Sequence, residues 1–185
     1  MLIYDCEIIK AIPTKERIPG IEYCSGWNDH ANMGISVICA YDYRNDRYRV
    51  FLDDGFRDFE ELAGDRTLVS FNGISFDDRL CKANGIDVET RYDLLVEVWA
   101  ANDLGPKYAY PSHYGYGLGD LAQKNLGLDK TGQGALAPVL WQQGKRGAVI
   151  DYCLQDVHLT KLILDMAIDG KPIDGPRGPA LVSRP

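Results

Sequence analysis

Asp5 and Glu7 stand one residue apart inside the otherwise apolar run Leu2-Ile3-Tyr4-Asp5-Cys6-Glu7-Ile8-Ile9. Alternate side chains of a strand share a face, so both carboxylates point the same way from what reads as a buried central strand. Burying two like charges side by side is strongly unfavourable unless a cation compensates them, and no basic residue precedes Lys10. A divalent metal supplies that compensation. The other reading is an edge strand with a wet face, on which the pair is simply solvated, and the motif alone does not choose between them.

Two further groupings carry acids. In Asn72-Gly73-Ile74-Ser75-Phe76-Asp77 an acid enters the first turn of a helix just past the carboxyl end of an apolar strand, where α/β proteins tend to place their chemistry. A purely structural account also exists: acids suit the first turn of a helix, Ser75 can cap it with Asp78 reaching back, and Asn72-Gly73 is a common turn. In Tyr152-Cys153-Leu154-Gln155-Asp156 the phenol and the carboxylate are one helical turn apart on one face, while Ile150, Cys153, Leu154, Val157 and Leu164 supply an apolar stripe. That pair is either functional or a partly exposed hydrogen-bonded couple.

The elements that must position these residues follow from periodicity and turn chemistry. After the opening strand come strands at 35–41 and 47–52, joined by the turn Arg44-Asn45-Asp46 as a hairpin. Residues 11–33 hold Pro13, Pro19, Gly20 and Gly26 among polar residues and Trp27, and read as a long loop, a feature often functional in compact domains. A short helix is expected at 56–63, a strand at 67–71 and a helix from Phe76 to Asn84 stopped by Gly85. Tyr92-Asp93-Leu94-Leu95-Val96 reads as a strand or as the entry to a helix. Residues 105–117 carry Tyr108, Tyr110, Tyr114 and Tyr116 in an irregular loop whose rings either stack on bases or pack on the domain itself. Helices follow at 118–126, 138–143 and 147–168, the second with proline at its start. The Pro/Gly-rich stretch 169–185 is not helical and is expected to be an extended or mobile tail to a domain spanning 1–168. Three hairpin-linked strands followed by alternating units indicate an α/β mixed sheet flanked by helices.

Composition narrows the classes. With 185 residues, 45% hydrophobic and 25% charged, the chain has enough apolar mass for one full core. No run is long enough to span a bilayer, and the N-terminus carries acids where a signal peptide carries basic residues, so a cytoplasmic protein with no membrane partner is expected. Cys6, Cys24, Cys39, Cys81 and Cys153 are odd in number and widely spaced, which argues against a disulfide framework or a structural zinc site. A net charge of −7 disfavours coating of long duplex through phosphate contacts, yet leaves room for gripping a short strand end with a few local cations. Lys130, Lys145 and Arg146 are candidates for such contacts, or are merely solvated.

Taken together and in order, the three acidic groupings resemble the DEDD superfamily of 3′-to-5′ exonucleases, over most of residues 1–168. The family's Asp-x-Glu is matched by Asp5 and Glu7, its Asn-x-x-x-Phe/Tyr-Asp by Asn72, Phe76 and Asp77, and its Tyr-x-x-x-Asp by Tyr152 and Asp156. The last marks the tyrosine subclass (DEDDy), related to the proofreading domains of family B polymerases. The histidine subclass would need His where Asp151 stands, and His158 lies on the wrong side of Asp156. One departure is Ile8, where the family usually has Thr or Ser, which bears on a local substrate contact more than on the metal site.

The resemblance implies a ribonuclease H-like mixed five-stranded sheet and a two-metal-ion hydrolysis of phosphodiester bonds at single-stranded 3′ ends. Two Mg²⁺ or Mn²⁺ ions about 3.5 to 4 Å apart want oxygen ligands, which suits four carboxylates and no His or Cys cluster. By resemblance Asp5 bridges both ions, Glu7 and Asp156 complete one site, Asp77 holds the other, Tyr152 orients the attacking water, and Asn72 and Phe76 contact the terminal nucleotide. The substrate is single-stranded DNA or RNA, and an exoribonuclease or an inactive nuclease-like binding module are the rival readings; no polymerase or helicase partner is indicated by any residue.

Overall fold

The computed structural model describes residues 1–130, 132 and 134–185. Strand β1 (Leu2–Ile8) is the axis of the molecule. It is followed by a single helical turn α1 (His30–Met33), by β2 (Ile35–Asp42) and β3 (Arg47–Phe51), and by helix α2 (Phe56–Gly64). Then come β4 (Leu68–Ser70), α3 (Asp77–Ala83), β5 (Tyr92–Asp93) and α4 (Leu94–Ala101). Helices α5 (Leu118–Leu126), α6 (Ala137–Gln142) and α7 (Arg146–Ile168) precede a small hairpin of β6 (Ile173–Gly175) and β7 (Gly178–Ala180).

Five strands form one sheet in the order β3-β2-β1-β4-β5, antiparallel across β3, β2 and β1 and parallel across β1, β4 and β5. This is the mixed, helix-flanked sheet of a ribonuclease H-like fold. The alternation of β1 sorts its side chains between two cores. Ile3 joins Val37, Cys39, Val157 and Ile163 on the α7 side. Leu2, Tyr4, Cys6 and Ile8 join Phe59, Leu80 and Cys81 on the α2 and α3 side. Asp5 and Glu7 therefore face α7.

The site owes its opening to unequal pairing of β1. Toward β2 the strand is paired along its whole length, with a bulge between Glu7 and Ile8. Toward β4 only Leu2 and Ile3 are paired, because β4 is three residues long and ends at Ser70. Beyond Ile3 the two parallel strands part at their carboxyl ends, and the backbone N–H of Cys6 finds Asp77 Oδ1 at 3.1 Å instead of a neighbouring strand.

Several expected boundaries shift by a residue or two, as helix and strand ends do. Larger differences have physical causes. Tyr92-Asp93-Leu94 is both strand and helix entry: β5 ends on Asp93, whose side chain caps α4 through the Leu95 N–H at 3.1 Å. Ser75 is not a cap and Asp78 does not reach back to it. Asp78 instead accepts hydrogen bonds from the Tyr4 hydroxyl and from Thr90 N and Oγ1, tying α3 to the sheet. The long loop 11–33 ends in α1 and is otherwise irregular. The stretch after residue 169 holds the β6–β7 hairpin, and Ile173 and Val182 sit in the α7-side core. Of the tyrosine-rich loop, Tyr116 is buried, and Tyr108 packs near Trp99 and His113. All five cysteines are free and buried. No helix among the described residues is long and apolar enough to cross a membrane.

Candidate active site

Carboxylate oxygens of Asp5, Glu7 and Asp156 come within 4.8 Å of one another. The first two project from β1; the third comes from α7, which lies across β1 and β2 and buries Cys153 and Val157 against them. The turn of α7 that carries Tyr152 and Asp156 thus faces the strand acids. Cys153, between them, directs its thiol at the Asp5 backbone oxygen and at Asp5 Oδ2, at 3.4 and 3.5 Å. Asp77 stands at the start of α3 on the other flank, where the β1 and β4 ends diverge.

These groups repel one another. Burial, then the charges of Asp77 and Asp156, hold the Asp5 carboxyl well above the usual carboxylate range. Glu7 is pushed up by burial, then by Asp5 and Asp156. Asp77 is pushed up by burial and the neighbouring Cys81 thiol, with the Cys6 N–H working the other way. Asp156 rises through burial, opposed by Lys130.

Among the described residues, Lys130 supplies the one cation beside the cluster. Its Nζ lies 2.6 Å from Asp156 Oδ2 and 4.9 Å above the Tyr152 ring. Burial works against the ammonium, but Asp156 outweighs it and holds Lys130 more firmly protonated than usual. The sequence shows Lys130 only as an isolated basic residue in a glycine-rich stretch, with nothing local to mark its partner. Arg146 is spent over the Trp141 ring at 5.0 Å. A Cβ on Gly132, whose φ is +92°, would press on Tyr152 Cδ2 at 3.1 Å, so the close approach of this segment to the phenol depends on glycine.

Tyr152 is almost fully buried, and burial together with Asp156 raises its pKa beyond the ordinary phenol value. A phenol so placed is a poor base at neutral pH and a good hydrogen-bond donor or acceptor for orienting a water.

A cavity of about 500 Å³ is bordered by Asp5, Glu7 and Asp77 together with Phe76, Trp27 and His30. Asn72 lines it in a left-handed conformation, φ 68°. Its turn is clamped by Asp93, which accepts the N–H groups of Asn72 and Ile74 at 2.8 and 3.1 Å as well as capping α4. No residue of 105–117 lines this cavity.

Comparison with solved structures finds the same fold. A family B DNA polymerase from the hyperthermophilic archaeon Pyrobaculum calidifontis matches with a TM-score of 0.59 and 16% identity over 90% of this chain. The chain spans about 24% of that polymerase. No protein-family model and no curated protein sequence matches. The likeness is one of fold.

The seven residues singled out in the sequence fall around one region: Asp5, Glu7 and Asp156 in the cluster, Asp77 beside it, Tyr152 on the same helix face as Asp156, and Asn72 and Phe76 on the cavity wall. The donor set is chemically suited to hard divalent cations. All four acids offer oxygen, and Asp156 Oδ1 is buried with no hydrogen-bond partner among the described residues. The sequence did not reveal Gln142 of α6, which is a staple for the long loop. Its amide donates to the Ile9 and Glu22 carbonyls at 2.8 and 3.0 Å, and its Oε1 accepts the Glu22 N–H at 2.7 Å. Gln142→Ala is expected to leave the melting temperature within about 3 °C of wild type. It should raise the rate of limited proteolysis within 11–33 several-fold, read by mass spectrometry of the first fragments.

Proposed function

We propose that this protein is a metal-dependent 3′-to-5′ exonuclease that removes nucleotides from single-stranded ends by two-metal-ion phosphodiester hydrolysis. The observation that carries this reading is the convergence of Asp5, Glu7 and Asp156 from distant parts of the chain, with one buried oxygen of Asp156 left without a partner. Mg²⁺ or Mn²⁺ held there would polarise the phosphate and make a water acidic enough to attack at neutral pH. Asp5, Glu7 and Asp156 would hold one ion, and Asp5 and Asp77 the second.

The chain's own groups divide the remaining work. Tyr152 orients the attacking water through its hydroxyl rather than taking the proton. Lys130 favours the ionised form of Asp156 against the effect of burial and offers a positive charge near the scissile phosphate. Asn72 and Phe76 seat the terminal nucleotide in the cavity. Because that cavity has room for about one drug-sized ligand, it suits a single nucleotide unit better than a paired duplex end.

The test uses 3′- and 5′-labelled DNA and RNA oligonucleotides with Mg²⁺, Mn²⁺ or EDTA, and the variants Asp5→Ala and Asp156→Ala. Stepwise shortening from the 3′ end is expected, abolished by EDTA and by either variant. Binding without metal-dependent cleavage would assign a binding module instead, internal cuts an endonuclease, and shortening of RNA alone an exoribonuclease.

A further inference from the structure

Resting on the reading that the cavity receives a nucleic acid end, we propose that Trp27 recognises the 3′-terminal nucleobase by stacking, selecting unpaired ends that carry a base without regard to which base it is. Trp27 is 68% exposed, although Trp99 is buried and Trp141 half-buried. Single exposed aromatics are common, so exposure alone carries nothing. What sets Trp27 apart is that it lines the same cavity as Asp5, Glu7 and Asp77.

The indole meets Phe76 edge-on, with centroids 6.2 Å apart and planes inclined at 68°, which leaves much of its surface uncovered. Phe76 is adjacent in sequence to Asp77, so the aromatic wall and one acid rise from the same turn. His30 continues the wall 5.7 Å from Phe76, and its buried Nε2 has no hydrogen-bond partner among the described residues.

The backbone beneath Trp27 is held. Asp29 accepts the Ser25 N–H and the Asn32 side-chain amide, both at 2.7 Å, and Asn84 of the α3 end donates to the His30 carbonyl at 3.2 Å. A loop anchored on both sides of an uncovered indole is preorganised for a flat apolar ligand. Every base has a π-face, so stacking gives affinity without sequence preference. A 3′-terminal base in a duplex keeps its inner face stacked and its edge paired, so drawing it into the cavity beside Trp27 costs unstacking and unpairing that an unpaired end does not incur.

The experiment crosses the protein with its substrate. Wild type and Trp27→Ala are each given a short single-stranded oligonucleotide ending in an ordinary 3′ nucleotide, and the same oligonucleotide ending in an abasic 3′ residue. Removing the base should raise KM for wild type about tenfold and for Trp27→Ala less than about twofold, with Trp27→Phe between them. Equal abasic penalties in wild type and Trp27→Ala would overturn the proposal.

A second measurement needs no catalysis. In EDTA, the oligonucleotide should quench part of the tryptophan emission saturably in wild type, and that part should be missing in Trp27→Ala. Quenching of the same size in both proteins would also overturn the proposal. If wild type quenches but shortens no oligonucleotide in any metal, the exonuclease reading fails and stacking stands.

Discussion

Asp5→Asn should melt at a higher temperature than wild type in EDTA, by about 3 to 10 °C, and should lose nearly all hydrolysis in Mg²⁺. The gain comes from removing one of several like charges that the fold forces together; relief of buried charge of this kind is worth about 1 to 4 kcal/mol. Each kcal/mol moves the melting point of a chain this size by about 2 to 4 °C. The loss has the opposite origin. If Asp5 holds metal as proposed, replacing its carboxylate by a neutral amide, beside Asp77 and Asp156, forfeits several kcal/mol of transition-state stabilisation, about a thousandfold or more in rate. Stability and function are set against each other at this residue.

The pH dependence fixes the sign. Asp5, Glu7, Asp77 and Asp156 all have folded-state pKa values raised above the unfolded ones, chiefly by burial. Their protonated forms favour the fold, so this contribution is fully present below the unfolded carboxylate range and is lost as pH rises through the folded values. Wild type in EDTA should therefore lose stability from about pH 4 toward neutrality, while Asp5→Asn loses less. The two melting curves should converge in acid. With Mn²⁺ at about a hundredfold its dissociation constant, wild type should gain about 2.7 kcal/mol and Asp5→Asn little. Equal Mn²⁺ shifts in the two proteins, measured by calorimetry at neutral pH, would falsify the assignment of Asp5 as a ligand.

What could be read in the sequence was set by local periodicity. Asp5 and Glu7 are legible because strand alternation puts them on one face and the surrounding run is apolar; Tyr152 and Asp156 are legible because four residues make a helical turn. The neighbouring acids Asp77 and Asp78 could not be told apart in that way. Asp77 borders the cavity, whereas Asp78 is consumed by Tyr4 and Thr90, partners far away in the chain. The partners of Lys130 and Trp27 were unreadable for the same reason, since both lie in irregular segments with no period and meet Asp156 of α7 and Phe76 at the start of α3. The C-terminal hairpin escaped because strands of three residues carry no measurable alternation, and only Ile173 and Val182 betray that the stretch is packed. Asp93 was half-visible: an Asp before Leu94-Leu95 is a helix-start signal, but its grip on a turn some twenty residues earlier is not.

That grip makes Asp93→Ala the counterpart of Asp5→Asn, with the opposite sign. Asp93 is buried and accepts from the N–H groups of Asn72, Ile74 and Leu95. Its alanine variant loses a helix cap, worth about 1 kcal/mol, and strands two further N–H groups at about 1 to 3 kcal/mol each if they stay dry. Partial wetting of the Asn72 turn tempers the sum, so a loss of about 3 to 5 kcal/mol and a fall of about 10 to 15 °C are expected. Asn72 then has little reason to keep its left-handed φ of 68°, and Gly73, where any Cβ would collide with the Ser70 side chain, sits in the same turn. Phe76 and Asp77 begin α3 immediately after it, so the cavity wall should loosen while β1 and α7 stay in place. Asp93→Ala should accordingly raise KM for an oligonucleotide at 20 °C below its melting transition, yet keep most of the Mn²⁺-induced stabilisation through Asp5, Glu7 and Asp156. Asp93→Asn, retaining one acceptor oxygen, should lie between it and wild type. A melting temperature that fell while KM stayed at the wild-type value would show that the Asn72 turn does not depend on Asp93, and that its left-handed shape is fixed by the Gly73 and Ser70 contact alone.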